Sequence, residues 1–256
     1  MTRQNAAWLA CAGAIALWAL SAPIGAQDKP QIKIPEAGVP QIMTIEGLFV
    51  RAAYNNEGYV ILGYKTANYS LGEEWMLIET GMTLREGVSS QKVKRDAVSL
   101  DTPDGTRIKL ATIQEFREAD TQALQARSKI QRDSINYFPP MASRPCRIGF
   151  FSDLQDRAMP WDEFEISYDR ACLGRMYFRI PGGIKYGQHW LNVQLANSLI
   201  RVPFRILTKD EEKFASKNYG DIRKQVKEAF SPKKDKDKDK DKNKDKDKSK
   251  DKDKAK

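Results

Sequence analysis

One histidine, His189, and three cysteines occur in 256 residues. Once an N-terminal leader is set aside, two cysteines and one histidine are too few soft ligands for a structural zinc site. No Gly-x-Ser-x-Gly elbow and no Gly-x-x-x-x-Gly-Lys loop is present, so neither the usual hydrolase nucleophile nor a phosphate cradle is encoded. The Gly182-Gly183 pair is a turn in this reading, and no cofactor is expected. A long membrane span is also missing. The single apolar run, Ala6 to Ala22, is short and Ala-rich for crossing a bilayer.

That run follows Arg3 and ends in Ser21-Ala22-Pro23-Ile24-Gly25-Ala26 before polar Gln27-Asp28-Lys29. A basic start, a short apolar core and small residues ahead of a polar segment predict a signal peptide over 1–26, cleaved after Ala26. The alternative is an uncleaved anchor. Cys11 lies early in the apolar core, which argues against lipidation. The expected location is periplasmic or extracellular, with no transmembrane span after cleavage.

The far end, 233–256, carries 13 Lys and 8 Asp, a net +5 of the chain's +9. With almost nothing apolar to bury, this tract is expected to stay disordered. Arg3 carries one more charge, leaving +3 on 27–232, so the pI near 9.3 describes the tail more than the fold. A nucleic-acid-binding role does not follow from that pI. The tail could support weak electrostatic membrane association, although Asp after nearly every Lys weakens it, leaving a solubilising appendage as the alternative. In an exported chain, Cys146 and Cys172 are expected to form a disulfide; two buried thiols are the alternative.

Residues 27–41 hold Pro30, Pro35 and Pro40 and predict an extended linker. Period-two alternation then dominates, over Tyr59–Thr66 and Trp75–Leu84, with a turn at Asn68–Gly72. Val98 and Leu100, then Ile108 and Leu110, flank Thr102-Pro103-Asp104-Gly105, a hairpin. Thr112-x-x-Glu115 is a capping box, and apolar residues at helical spacing predict one helix over 113–133. Residues 136–164 predict long loops around a short strand, Ile148–Phe151. Three strands follow, with Met176, Phe178 and Ile180, then Leu191, Val193 and Leu195, then Ile200, Val202, Phe204 and Ile206 turned inward. Pro203 cannot donate to a ladder and places the last of them at an edge. Thr208-x-x-Glu211 starts a C-terminal helical segment over 208–232, interrupted at Gly220. Seven or more short strands over 42–207 predict a mainly β chain, a sandwich with an inserted helix, a C-terminal helix and a disordered tail.

Three blocks resemble the telokin-like, immunoglobulin-like domains of bacterial exported proteins. They are Tyr59 to Ser70, a long strand ending in Asn-x-Ser; Val98 to Gly105, a strand leading into Asp-Gly; and Gly174 to Pro181 with Leu191–Leu195 after it. About a third of the chain is covered. The resemblance implies an immunoglobulin-like β-sandwich and a binding or envelope role, and it brings no catalytic residues. The long stretch between the second and third blocks and the C-terminal helix depart from the pattern.

Two chemical readings remain. Asp162, Glu163 and Glu165 follow Trp161, and paired carboxylates beside an aromatic can serve glycoside hydrolysis, so an envelope hydrolase with its acids in 152–170 is the alternative function. Such acidic runs are usually solvated loops. The leading expectation is a non-enzymatic binding or structural module. Arg175, Tyr177 and Arg179, then Trp190, Asn192 and Gln194, then Arg201 and Arg205 lie opposite the apolar positions of the last three strands. Neighbouring strands would join them into a basic, aromatic ligand-binding face for an envelope protein or an anionic envelope polymer. Alternatively the C-terminal helix, with Asp210, Glu211 and Glu212 in its first turn, covers or pairs with that face. A third reading is an accessory subunit of an envelope assembly, which the oligomeric state would distinguish.

Overall fold

The computed structural model describes residues 42–152 and 159–230. The expected leader, the linker 27–41 and the Lys/Asp tail lie outside them. The described chain is mainly β. Strands β1 (Ile42–Gly47), β2 (Val50–Tyr54), β3 (Gly58–Gly63), β4 (Trp75–Leu84), β10 (Arg170–Arg179) and β8 (Arg144–Arg147) form a six-stranded sheet in that order. Strands β12 (Leu199–Ile206), β11 (Gly187–Gln194), β6 (Val98–Asp101) and β7 (Arg107–Lys109) form a second sheet, and β5 (Gln91–Lys94) pairs with β9 (Glu163–Ile166). All pairs are antiparallel except β8 with β10.

The two larger sheets share one core. Val60, Leu62, Met76, Ile78, Met82, Met176 and Phe178 from the first meet Val98, Leu100, Leu191, Val193, Ile200, Val202 and Phe204 from the second. The first sheet is wider than the second. Helix α5 (Tyr219–Phe230) fills the overhang, laying Val226, with Tyr219, Ile222 and Phe230, on Met43 and Ile45 of β1. It follows α4 (Lys209–Lys217), whose predicted capping box at Thr208 and Glu211 is present. The break between them falls at Asn218; Gly220 lies inside the first turn of α5.

Strand β4 is buried along nearly its whole length on both sides, as a central strand covered by two layers must be. Gly81 makes the outer cover possible, because a Cβ there would sit 2.7 Å from the Phe138 ring. The segment bearing Ile135 and Phe138 lies over Val50, Ala52 and Ile61. Prolines mark both ends of the layered structure. Pro203 lies in β12 at the edge of the second sheet, as expected, and Pro145 lies in β8 at the edge of the first.

Several expectations need correction. The helix over 113–133 is two helices, α2 (Ile113–Glu118) and α3 (Gln122–Ile130), because the chain extends at Ala119. Ile148–Phe151 is not a strand; the strand ends at Arg147, and the aromatic residues after it are drawn into the core. The strand from Tyr59 stops at Gly63, where α1 (Lys65–Asn68) turns the chain. Strands β1, β2, β5 and β9 are additions to the strands expected from sequence.

Glu57, between β2 and β3, ties the β11–β12 turn to the first sheet. Its carboxylate accepts from the Asn197 backbone N–H at 3.1 Å, Ser198 Oγ at 2.6 Å and Gln91 Nε2 at 3.1 Å. Burial pushes this carboxyl up, but the bonds from Ser198, Gln91 and Asn197 together outweigh it and hold the pKa below its ordinary value. Glu57→Ala leaves those donors unpaired and is expected to cost ~3 kcal/mol in urea unfolding, with Glu57→Gln losing less. A shared midpoint for all three proteins would show the clamp to be dispensable.

Candidate binding surfaces

The predicted basic face does not form as one surface. Strand β10 pairs with β4 through eight residue pairs, so Arg175, Tyr177 and Arg179 belong to the six-stranded sheet. Trp190 on β11 and Arg201 and Arg205 on β12 belong to the other. Tyr177 is fully buried beneath Phe116 and Phe151, at ring distances of 4.6 and 5.0 Å. Arg179 Nε donates to Glu74 at 2.8 Å.

The Trp190, Arg201 and Arg205 part is internally paired. Arg201 stacks on Trp190 at 4.7 Å and donates to Asp101 Oδ2 and Asn192 Oδ1, each at 3.0 Å. Arg107 donates to the same Asp101 at 2.8 Å and leads the contacts holding that carboxyl below its ordinary range. Arg205 donates to Glu211 of α4 at 2.6 Å, the helix pairing expected as the alternative. Strand-by-strand alternation found these residues, but the crossing of β10 into the other sheet is a tertiary decision.

A groove of about 580 Å³ opens instead on the face of β4 and β10 that points away from the shared core. Glu79, Arg175, Leu173 and Gly174 come from the sheet, Arg132 to Asn136 from the segment after α3, and Arg147, Ile148 and Phe151 from the end of β8 and beyond. Glu79 is nearly buried, with Arg175 at 3.8 Å and Arg132 at 3.9 Å. Asp133 is taken by Lys65 at 3.1 Å. Phe116 covers one end of this face and Phe138 the other, so the opening is confined to the middle. Arg132 and Arg147 were not singled out from sequence. Neither has a local signature, since one trails a helix and the other ends a four-residue strand.

Beside β8 lies a second opening of about 470 Å³, lined by Lys92, Pro145, Cys146, Arg147, Trp161, Glu163, Phe164, Glu165 and Arg170. Cys146 and Cys172 are joined by a disulfide and are direct partners in the β8–β10 register. The three acids flagged near Trp161 are each ion-paired. Asp162 pairs with Arg95, Glu163 with Lys92 and Glu165 with Arg170. Glu163 and Glu165, two apart on β9, share a side, and the hydrogen bond from Lys92 holds the Glu163 carboxyl below its ordinary value. Arg95 fixes this region, donating to the carbonyls of Ala111, Phe150 and Trp161 and lying over the Phe150 and Phe151 rings.

His189 is fully buried and stacks on Phe204 at 5.3 Å. Its Nδ1–H donates to the Gly187 carbonyl at 3.0 Å, which fixes the tautomer, because a carbonyl can only accept. Nε2 then presents a buried lone pair without a partner among the described residues. Burial, opposed by the Gly187 bond and Asp104, pushes the pKa down to about 4. The residue belongs to the core.

Among the described residues, no cluster of three or more His, Cys, Asp or Glu could hold a metal, and no helix is long and apolar enough to cross a membrane. Compared with protein-family models, with curated proteins and with solved structures, the chain matches none.

Proposed function

We propose that this protein is an exported binding module of the bacterial cell envelope, an immunoglobulin-like sandwich that holds an anionic partner in the groove over β4 and β10. The observation that carries this reading is the placement of Arg132 and Arg175 beside one nearly buried carboxylate, Glu79, with Arg147 lining the same groove of about 580 Å³. Guanidinium groups stay charged at any working pH and suit carboxylate or phosphate groups through paired N–H donors. The apolar walls, Ile135, Ile148, Phe151 and Leu173, offer area beside that charge. The disulfide supports an oxidising compartment. Binding is favoured over hydrolysis because Asp162, Glu163 and Glu165 are each ion-paired, and the bond from Lys92 lowers the pKa of Glu163, whereas a general acid needs its pKa raised.

The test compares retention of partners from the native envelope fraction by residues 27–256, by a truncation ending at Pro232 and by Arg132→Glu. Arg132 is more than half exposed, so its reversal leaves the core alone. The wild type and the truncation are expected to retain the same partner. Arg132→Glu is expected to lose about tenfold in affinity, with steeper loss as salt rises. Retention that follows the tail and ignores Arg132 would defeat the assignment.

A further inference from the structure

We infer that the opening beside β8 is a saccharide-binding platform built on Trp161. This goes beyond the anionic groove, and it stands on a different aromatic residue.

Trp161 is 53% exposed, an unusual state for the largest side chain in a protein with an intact core. Its position is nonetheless fixed. The backbone N–H donates to the Gly149 carbonyl at 2.7 Å, and its own carbonyl accepts from Arg95 Nη2 at 3.2 Å. The benzo ring lies against Gly149, where a Cβ would come within 2.8 Å of Cε3, so only glycine admits the indole there. One side of the ring is thus backed by Gly149, and the residue lines an opening of about 470 Å³.

The same opening is lined by both kinds of hydrogen-bonding group. Lys92 and Arg170 donate, and Glu163 and Glu165 accept, in the pairs Lys92–Glu163 and Arg170–Glu165. Such pairs at a surface are weak and exchange readily with water or ligand hydroxyls. A purely apolar partner would leave these four charges desolvated without replacement, which is costly. A polyanion would meet Glu163 and Glu165 head on. A sugar ring fits both features. Its C–H face stacks on an indole, and its neighbouring hydroxyls can accept from guanidinium or ammonium and donate to carboxylate. Glu163 and Glu165 are also hydrolytic candidates by sequence. Their pairing on one side of β9 suits hydroxyl recognition instead.

The experiment uses the full chain with ¹⁵N-labelled tryptophan and three neutral probes: cellotetraose, maltotetraose and tetra-N-acetylchitotetraose. Trp161→Phe identifies the Trp161 indole signal. At least one tetrasaccharide is expected to shift that signal saturably. Trp161→Ala should weaken the binding about tenfold or more, Trp161→Phe about two- to threefold, and Trp190→Ala not at all. Glu163→Gln, an isosteric change at a half-buried surface position, should weaken it about fivefold. The proposal is overturned if none of the three sugars moves the Trp161 signal, or if Trp161→Ala and Glu163→Gln both bind as the wild type does. Because Arg132→Glu does not touch this ring, loss of the anionic partner and loss of sugar binding are separable results.

Discussion

Acidification from pH 7.5 to pH 4 is expected to remove about 3 kcal/mol of folding stability through His189 alone. The folded pKa, about 4, lies below the ordinary 6.5. As pH falls, the unfolded chain therefore takes up the proton first. The contribution is complete above pH 6.5, declines between 6.5 and 4, and is level below that. The cause is burial. Nδ1 is already committed to Gly187, so a proton arriving at Nε2 would place a charge in the core with no acceptor. Asp104 and Lys185, the charged groups nearest that end of β11, are paired at 3.1 Å. Hydrogen bonds led by the Thr102 hydroxyl hold Asp104 well below the carboxylate range, so it stays ionised throughout. His189→Phe keeps the stack on Phe204 and removes the titration. Urea unfolding at pH 7.5, 6 and 5 should show about 2 kcal/mol lost by the wild type and little by the variant. Parallel pH curves for the two proteins would sink the assignment.

Removing the disulfide with Cys146→Ser and Cys172→Ser is expected to cost about 3.5 kcal/mol, from the entropy of the 26-residue loop it closes. The local consequence should be sharper than the global one. Strand β8 has four residues, lies at a sheet edge, pairs in parallel with β10 and contains a proline that cannot donate. Apart from the bridge it is held along one side by its four-pair ladder on β10, with Arg144 N to Asp169 O at 2.9 Å and Ile148 N to Leu173 O at 2.8 Å bracketing its two ends. Amide exchange at 144–148 should approach unfolded rates while β2, β3 and β4 stay protected. Both openings should then fail together, since Arg147, next to the bridged Cys146, lines each. A loss under about 1 kcal/mol, with 144–148 still protected, would show that packing alone holds the strand.

Local chemistry was legible wherever a single element decides it. The two Thr-x-x-Glu boxes cap helices because the hydroxyl and the carboxylate meet backbone donors three residues away. Pro203 lies on an edge strand because an edge alone tolerates a missing donor. The Thr102–Gly105 turn joins β6 to β7 in register, Leu100 opposite Ile108. The inward positions of β10, β11 and β12 are all buried, as alternation required. Tyr177 was not legible, because alternation puts it opposite Met176 and Phe178 but cannot say whether that second side meets water. Here it meets Phe116 and Phe151, brought from 61 and 26 residues away along the chain.

By itself, then, the sequence determined strand periodicity, helix caps, the edge position of Pro203, the paired cysteines and the charge asymmetry between tail and domain. Each follows from residues near one another in the chain or from composition. Only the tertiary structure decided that β10 joins β4 and not β11, and with that choice it separated Arg175 from Trp190. It also decided that the outer side of β4 is covered at both ends and open between them, and that Trp161 rests on Gly149. The physical reason is common to all three. Alternation gives a strand two sides but no partners, and partners are chosen by how whole layers bury their apolar area against one another.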